Sequence, residues 1–321
     1  MATVENRIAS NTVFAVLISV TVCHLINDTL QALMLAIYPI LRDSYALTFA
    51  QIGIITMVFH VTASILQPLI GLYTDRRPLP YSLPLAPAFT LLGVLLLAFA
   101  TSYAAILVAA AAVGIGSAIF HPEASRVARI ASGGRFGMAQ SLFQVGGNVG
   151  SSLGPLLAAW IILPRGQSSL VWFGVIALAA VGILSGVGRW YSQHLRPTHT
   201  SRPVSAIGHN LGSRAVSLSL LILLALMFSK FVYTSSFSSF YTFYLIDHFQ
   251  VPVKDAQIYL FVYLGAFAIG TFAGGPIGDR IGRKAVIWFS ILGALPFTLA
   301  LPFANLFWTV VLTVPIGLIL A

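Results

Sequence analysis

Charged side chains are scarce in this sequence: Asp, Glu, Lys and Arg together make up 8% of 321 residues, against roughly a quarter in an ordinary soluble domain. A Gly-Lys dipeptide is missing. That removes the phosphate-cradling G-x-x-x-x-G-K-[ST] loop, and ATP-driven pumping by this chain with it. No H-E-x-x-H or C-x-x-C pattern occurs, so nothing points to a metalloenzyme. The single cysteine, Cys23, lies inside an apolar run and says nothing about disulfides or compartment. Strands of alternating polarity are also missing, which argues against an outer-membrane barrel. Gly150-Ser151-Ser152-Leu153-Gly154 fits G-x-S-x-G formally. That motif needs a strand-to-helix elbow, and here it sits inside an apolar segment. With no clustered acid, base and nucleophile, the chain does not read as an enzyme, and it calls for no cofactor.

What is abundant is apolar surface, at 58% of residues. A water-soluble fold cannot hide that much, and a bilayer-spanning helix needs about 20 consecutive apolar residues. Such runs fall at 13–41, 51–73, 81–100, 103–122, 138–163, 169–188, 215–246, 255–278 and 285–304, with a tenth from 306. They must be helices, because backbone polar groups in lipid are satisfied only within the segment. A secretory signal at 13–26 is the alternative for the first run, but the apolar stretch resumes after Asn27-Asp28 without a small-residue cleavage site.

The net charge of +9 would suggest nucleic acid in a soluble domain. Here the basic residues sit in short loops, so they report orientation instead. With the N-terminus inside, thirteen of them (Arg7, Arg76, Arg77, Arg126, Arg129, Arg135, Arg189, Arg196, Arg202, Arg214, Arg280, Arg283 and Lys284) fall on the cytoplasmic side and Arg42, Arg165 and Lys254 on the other. Lys230 is left within a span.

Two halves are expected: residues 1–190 as six helices, a cytoplasmic linker at 191–213, and an incomplete second half at 214–321. The linker carries His194, His199 and His209, which read as solvated loop histidines rather than metal ligands. Internal repetition supports the division. Gly71-Leu-Tyr-Thr-Asp75-Arg76 ends the second span and Gly275-Pro-Ile-Gly-Asp279-Arg280 the eighth, 204 residues later; Ala50-Gln51-Ile52 and Ala256-Gln257-Ile258 begin the same two spans. Parallel six-helix halves are a known transporter plan. At about 34 residues per span, twelve spans need about 408 residues, so the expectation is a C-terminally truncated or incomplete sequence.

Gly275-x-x-x-Asp279-Arg280-x-Gly282-Arg283-Lys284 resembles the loop signature of the major facilitator superfamily. The first copy departs from it after Asp75-Arg76, where Arg77-Pro78 follow. Gly150-x-x-x-Gly154-Pro155 resembles the core of that family's antiporter motif, and the arginine that many members carry in the fourth span is absent. Four segments, His24-Leu-Ile-Asn27-Asp28, Gln67-Pro-Leu-Ile-Gly71-Leu-Tyr-Thr-Asp75-Arg-Arg-Pro, Phe120-His121-Pro122-Glu123-Ala-Ser-Arg126 and Gln140-Ser-Leu-Phe-Gln144-Val-Gly-Gly-Asn148, are similar to bacterial fosmidomycin-resistance proteins over essentially the whole chain. The resemblance implies an all-α membrane protein of the major facilitator type, with about ten spans present here. It also implies an inner-membrane exporter of a small phosphonate antibiotic, working by proton antiport.

Ionisable groups at mid-membrane cost roughly 2.5–3.5 kcal/mol on insertion scales, so each is a functional hypothesis. Asp28 falls in the middle of the first span and Lys230 in the middle of the seventh, nearly equivalent places in the repeat. They are expected to face each other, Asp28 as the proton-coupling carboxylate and Lys230 as an anchor for an anionic substrate; a structural ion pair is the plainer alternative. His24, one turn before Asp28, and His60 in the second span are further proton-site candidates. Gln140, Gln144, Asn148 and Ser152 recur at steps of four on one face of the fifth span, suited to a polar substrate or to a neighbouring helix. Tyr241 adds a hydroxyl near Lys230, or packs in the aromatic stripe of Phe237 and Tyr244. Gating is assigned to Gly71, Asp75, Arg76, Glu123, Arg126, Gly150, Gly154, Pro155, Gly275, Asp279, Arg280 and Arg283. The glycines allow close helix approach, and the charges pair at loop ends. A locally paired cluster is the alternative for Glu123, Arg126 and Arg129. The partners expected are a small-molecule substrate, protons and lipid, with no nucleic acid, for a monomer in the bacterial inner membrane with a cytoplasmic N-terminus.

Overall fold

The computed structural model describes residues 12–194 and 213–321, and those residues are helical almost throughout. Eight helices are long and apolar enough to cross a membrane: Phe14–Tyr45 (α1), Phe49–Arg76 (α2), Tyr103–Ala131 (α4), Phe136–Arg165 (α5), Gln167–His194 (α6), Ser213–Phe249 (α7), Val253–Ile281 (α8) and Lys284–Phe303 (α9). Ser82–Ala98 (α3) and Leu306–Leu320 (α10) are shorter apolar helices. All ten apolar runs of the sequence are therefore helices. Most of the expected linker, 191–213, lies outside the described residues; its first four positions continue α6.

Local chemistry sets the boundaries. Thr48 and Gln51 form a reciprocal capping box at the start of α2, and the Ser102 and Asn305 side chains cap α4 and α10. Proline marks the irregularities. α1 breaks at Ile37, where Pro39 opens the following segment. In α5, Pro155 precedes a π-helical turn at Ala158–Ile162, because proline lacks the N–H that would complete the ladder.

In the first half α1 packs along α5, α4 lies between α2 and α3, and α6 covers α3. In the second half α8 packs on α10, with α7 alongside. The main contact between the halves is α5 against α8. Gly146, Gly150 and Gly154 make the α1–α5 seam possible. A Cβ on Gly146 would stand 2.5 Å from the Thr21 carbonyl oxygen, and one on Gly150 or Gly154 would overlap Leu25 or Ala32. Helices meet this closely only through such small residues. The outer faces are apolar: Ile54, Met57, Val61, Ile65 and Leu69 of α2 are all exposed, a surface suited to lipid and not to water.

Candidate functional site

Asp28 projects from the middle of α1 into a cavity of about 240 Å³ between the halves. The first half lines it with Asp28, Gln31, His60, Asn148 and Ser151, the second with Thr234, Ser235, Ser238 and Tyr263. No lysine or arginine lines it among the described residues.

Four groups surround the Asp28 carboxylate. Asn27 Nδ2 and Gln31 Nε2 donate to Oδ1 at 3.1 and 3.3 Å. His24 Nε2 stands 3.3 Å from Oδ2, and His121 Nε2 stands 3.9 Å from Oδ1. The helical i, i+4 step aligns His24 with Asp28, whereas His121 reaches the carboxylate from α4. His24 stacks on Phe143 at 4.0 Å between ring centres and meets His121 edge-on at 5.1 Å. Gly147 of α5 closes the far side, since a Cβ there would lie 2.5 Å from His24 Nε2 and 2.7 Å from Asp28 Oδ2. One ligand atom each from His24, Asp28 and His121 lies within 4.8 Å of the other two, close enough to share one small cation.

His60, from α2, meets Ser235 of α7 across the cavity, with Nε2 3.1 Å from Oγ. This hydrogen bond joins the two halves. Asn148 and Ser151 reach the same space from α5. The other amides of that face do not: Gln140 accepts from Ser125 Oγ at 3.2 Å toward the end of α4, Gln144 is exposed, and Ser152 Oγ turns back to the Val149 carbonyl at 2.8 Å.

The expected meeting of Asp28 with Lys230 is not made. Lys230 Nζ donates to the Ala321 carbonyl oxygen at 3.1 Å and borders a separate pocket with Tyr233, Ser290 and Thr298. Equivalence in the repeat fixes the depth of a residue along its helix, not the direction in which its side chain leaves. Tyr241 likewise faces an aromatic pocket with Phe237, Phe240 and Tyr244, stacked 4.7 Å from Phe237, away from the carboxylate.

The two ends of the molecule differ. At one end Arg42 of α1 pairs with Asp247 of α7 at 3.2 Å and lies over the Phe49 ring at 4.2 Å. Gln257 Nε2 of α8 donates to the Ala36 carbonyl of α1 at 2.6 Å, fully buried, and Lys254 stands 4.1 Å over the Trp160 ring. All three ties cross from one half to the other. At the opposite end, ion pairs among the described residues stay within the first half. Arg126 bridges Glu123, 2.5 Å from Oε1, and Asp75, and also donates to Thr74 Oγ1 at 3.1 Å. Asp75 thus pairs with Arg126, not with the exposed Arg76. Glu123 is fully buried, and its Oε2 has no hydrogen-bond partner among the described residues. Arg129 stacks on Phe136 instead of joining the cluster. Gly71 is less crowded than expected: a Cβ there would sit 3.6 Å from Pro122 Cβ, an ordinary contact. Gly275 and Asp279 have helical backbone in the last turns of α8, and Arg280 is exposed. The side chains of Asp279 and Arg283, and the surroundings of Gly275, lie outside the described residues.

His121 and the Arg42–Asp247 pair carry no assignment from the sequence. His121 was visible only as a member of the Phe120-His121-Pro122-Glu123 segment; no spacing rule links a residue of α4 to one of α1.

The model of the Major Facilitator Superfamily matches residues 20–321. A fosmidomycin resistance protein of Escherichia coli strain K12 is 54% identical over 97% of this chain and 77% of its own length. An uncharacterised transporter of the same type, YfnC of Bacillus subtilis strain 168, is 43% identical over 92% of this chain and 72% of its own. Among solved structures, a bacterial homologue of the human lysosomal transporter Spinster, inward-facing and occupied, superimposes with a TM-score of 0.76 over 97% of this chain and 72% of that one; at 18% identity the likeness is one of fold.

Proposed function

Because this chain belongs to the major facilitator superfamily, and is therefore a multi-pass membrane transporter and not an enzyme, we propose that it is a proton-driven exporter of fosmidomycin-like phosphonates. It works in the bacterial inner membrane as a monomer, with its N-terminus in the cytoplasm, and uses no cofactor. The observation that carries the reading is the Asp28 carboxylate. It is the one carboxylate bordering the cavity that Asn148, His60 and Ser235 line from the two halves, among the described residues, and two imidazoles face it. A charge in the bilayer interior is retained where it has work to do.

In this reading Asp28 takes up the proton, with His24 Nε2 as its nearest partner. His60 ties the proton site to the second half through Ser235. Asn148, Gln31 and Ser151, with Ser235 and Ser238 opposite, offer hydrogen bonds to phosphonate oxygens. The end bearing Arg42 and Asp247 faces out and is closed, and the cavity opens toward the cytoplasm. One proton crossing 100 mV supplies about 2.3 kcal/mol, enough for a roughly 40-fold concentration ratio. Cells making the protein should accumulate less labelled fosmidomycin than control cells, and a protonophore should abolish the difference. Equal accumulation with and without the protein would overturn the reading.

One observation favours a second reading, proton-coupled uptake of a small anion. With no lysine or arginine lining the cavity among the described residues, an anion is best received when the histidines are protonated, so proton and anion would enter together. Susceptibility separates the two directions: an exporter protects cells from fosmidomycin, and an importer sensitises them.

A further inference from the structure

The hydrogen bonds of the two histidines fix where their protons sit. His24 Nδ1 lies 2.7 Å from the Phe143 carbonyl oxygen, and His121 Nδ1 lies 2.9 Å from the Ser117 carbonyl oxygen. A carbonyl oxygen only accepts, so each Nδ1 carries a hydrogen. In the neutral ring Nε2 is then a bare lone pair, and both Nε2 atoms point at the Asp28 carboxylate, itself an acceptor. At 3.3 Å the His24–Asp28 contact is an attraction only if a proton lies between the two atoms, as imidazolium with carboxylate or as imidazole with carboxylic acid. His121 at 3.9 Å has the same orientation but stops short of a hydrogen bond.

Exposure orders the three groups. The side chain of His24 is 4% exposed, that of Asp28 17% and that of His121 27%. The buried pair therefore holds a proton that water reaches least, and the ring standing next to it is the most accessible of the three. His121 sits on α4 while the pair sits on α1, so a small relative movement of these helices makes or breaks its contact with Oδ1. Two residues further along α4 begins the Glu123–Arg126–Asp75 cluster at the end of the helix.

We propose that His121 is the second seat of the transported proton, the group through which the His24–Asp28 pair exchanges it with water. The inference rests on the proton-coupled reading given above. In the step itself the protonated Asp28 carboxyl group turns its O–H from the His24 side to the His121 side, and that O–H bond breaks as the His121 Nε2–H bond forms, leaving carboxylate facing imidazolium; the reverse sequence reloads the pair. The other titratable groups bordering the site are His60 from α2 and Tyr263 from α8; α5 and α7 contribute none to the cavity among the described residues.

The test separates coupling from translocation. Inverted vesicles containing the full chain are given labelled fosmidomycin under an imposed pH gradient, and in parallel under counterflow at equal pH, which needs no net proton movement. His121→Gln should lower gradient-driven accumulation about 100-fold, the scale of losing a positioned proton-transfer group, while counterflow stays within about 3-fold of wild type. Gradient-driven accumulation retained by His121→Gln would overturn the proposal. If that variant loses both activities, His121→Asn is scored in the same way, and joint loss in both assigns His121 a structural part only. One tightly held divalent ion per chain in the purified protein would overturn it too. A wild-type chain that moves no protons at all would instead defeat the proton-coupled reading on which the inference rests.

Discussion

Arg42 and Asp247 hold the two halves together at one end of the molecule, with Nη1 3.2 Å from Oδ2 and the guanidinium lying over the Phe49 ring. The partners are 30% and 48% exposed, so the pair is worth no more than about 1 kcal/mol. A tie of that size is strong enough to bias a conformational equilibrium and weak enough to be broken on every cycle. Arg42→Ala should leave the thermal unfolding midpoint nearly unchanged while making an Asp43→Cys thiol react faster with a membrane-impermeant reagent added from outside. Swapping the charges, Arg42→Asp with Asp247→Arg, should return the labelling rate toward that of the single Asp43→Cys protein. No change in labelling would mean that the pair does not contribute to closure.

Glu123 and Arg126 illustrate the opposite case. Glu123 is fully buried, and removing one member of a buried pair strands the other charge. Glu123→Ala should cost about 3 kcal/mol of stability, softened by the remaining link from Arg126 to Asp75. Glu123→Gln, which keeps shape and an acceptor oxygen, should cost less. Unfolding of the purified variants in detergent measures both; equal losses would show that shape does not soften the change.

The glycines divide into two groups by what lies against them. Gly150→Ala forces a methyl group into the Leu25 carbonyl of α1 and should cost about 1–3 kcal/mol through overpacking, with transport reduced accordingly. Gly71→Ala meets only Pro122 Cβ at 3.6 Å and should stay within about 0.5 kcal/mol of wild type. The same unfolding assay reads both, and equal destabilisation would contradict the packing described.

Substrate contacts should follow the cavity and not the repeat. Asn148→Ala removes an amide from the cavity wall and should raise the half-saturating fosmidomycin concentration about 10-fold, the scale of one hydrogen bond to a charged group. Lys230→Met and Tyr241→Phe, which lie in other pockets, should change it by less than about 3-fold. A large effect of Lys230→Met with none of Asn148→Ala would reverse the assignment.

Helices were legible in the sequence because lipid imposes a simple rule: about 20 apolar residues in a row, with basic residues between. All ten runs became helices, and the His24–Asp28 step of four residues already placed both groups on one face. What stayed hidden depends on how helices dock. His121 joins Asp28 only because α4 turns that face toward α1. Asp28 and Lys230 correspond in the repeat yet leave their helices in different directions. Gln140, Gln144 and Asn148 share a helical face, but the cavity is shallower than that face is long, so Asn148 alone of the three reaches it. Arg42 and Asp247 stand 205 positions apart, beyond any local pattern.

The glycine stripe along α5 has a mechanical meaning. Backbone resting on backbone leaves α1 and α5 no slack, so the two behave as a single beam. α8, the main neighbour across the divide, leans on that beam. A nudge delivered at Asp28 is therefore not absorbed by soft side chains on its way to the other half; it arrives as a tilt.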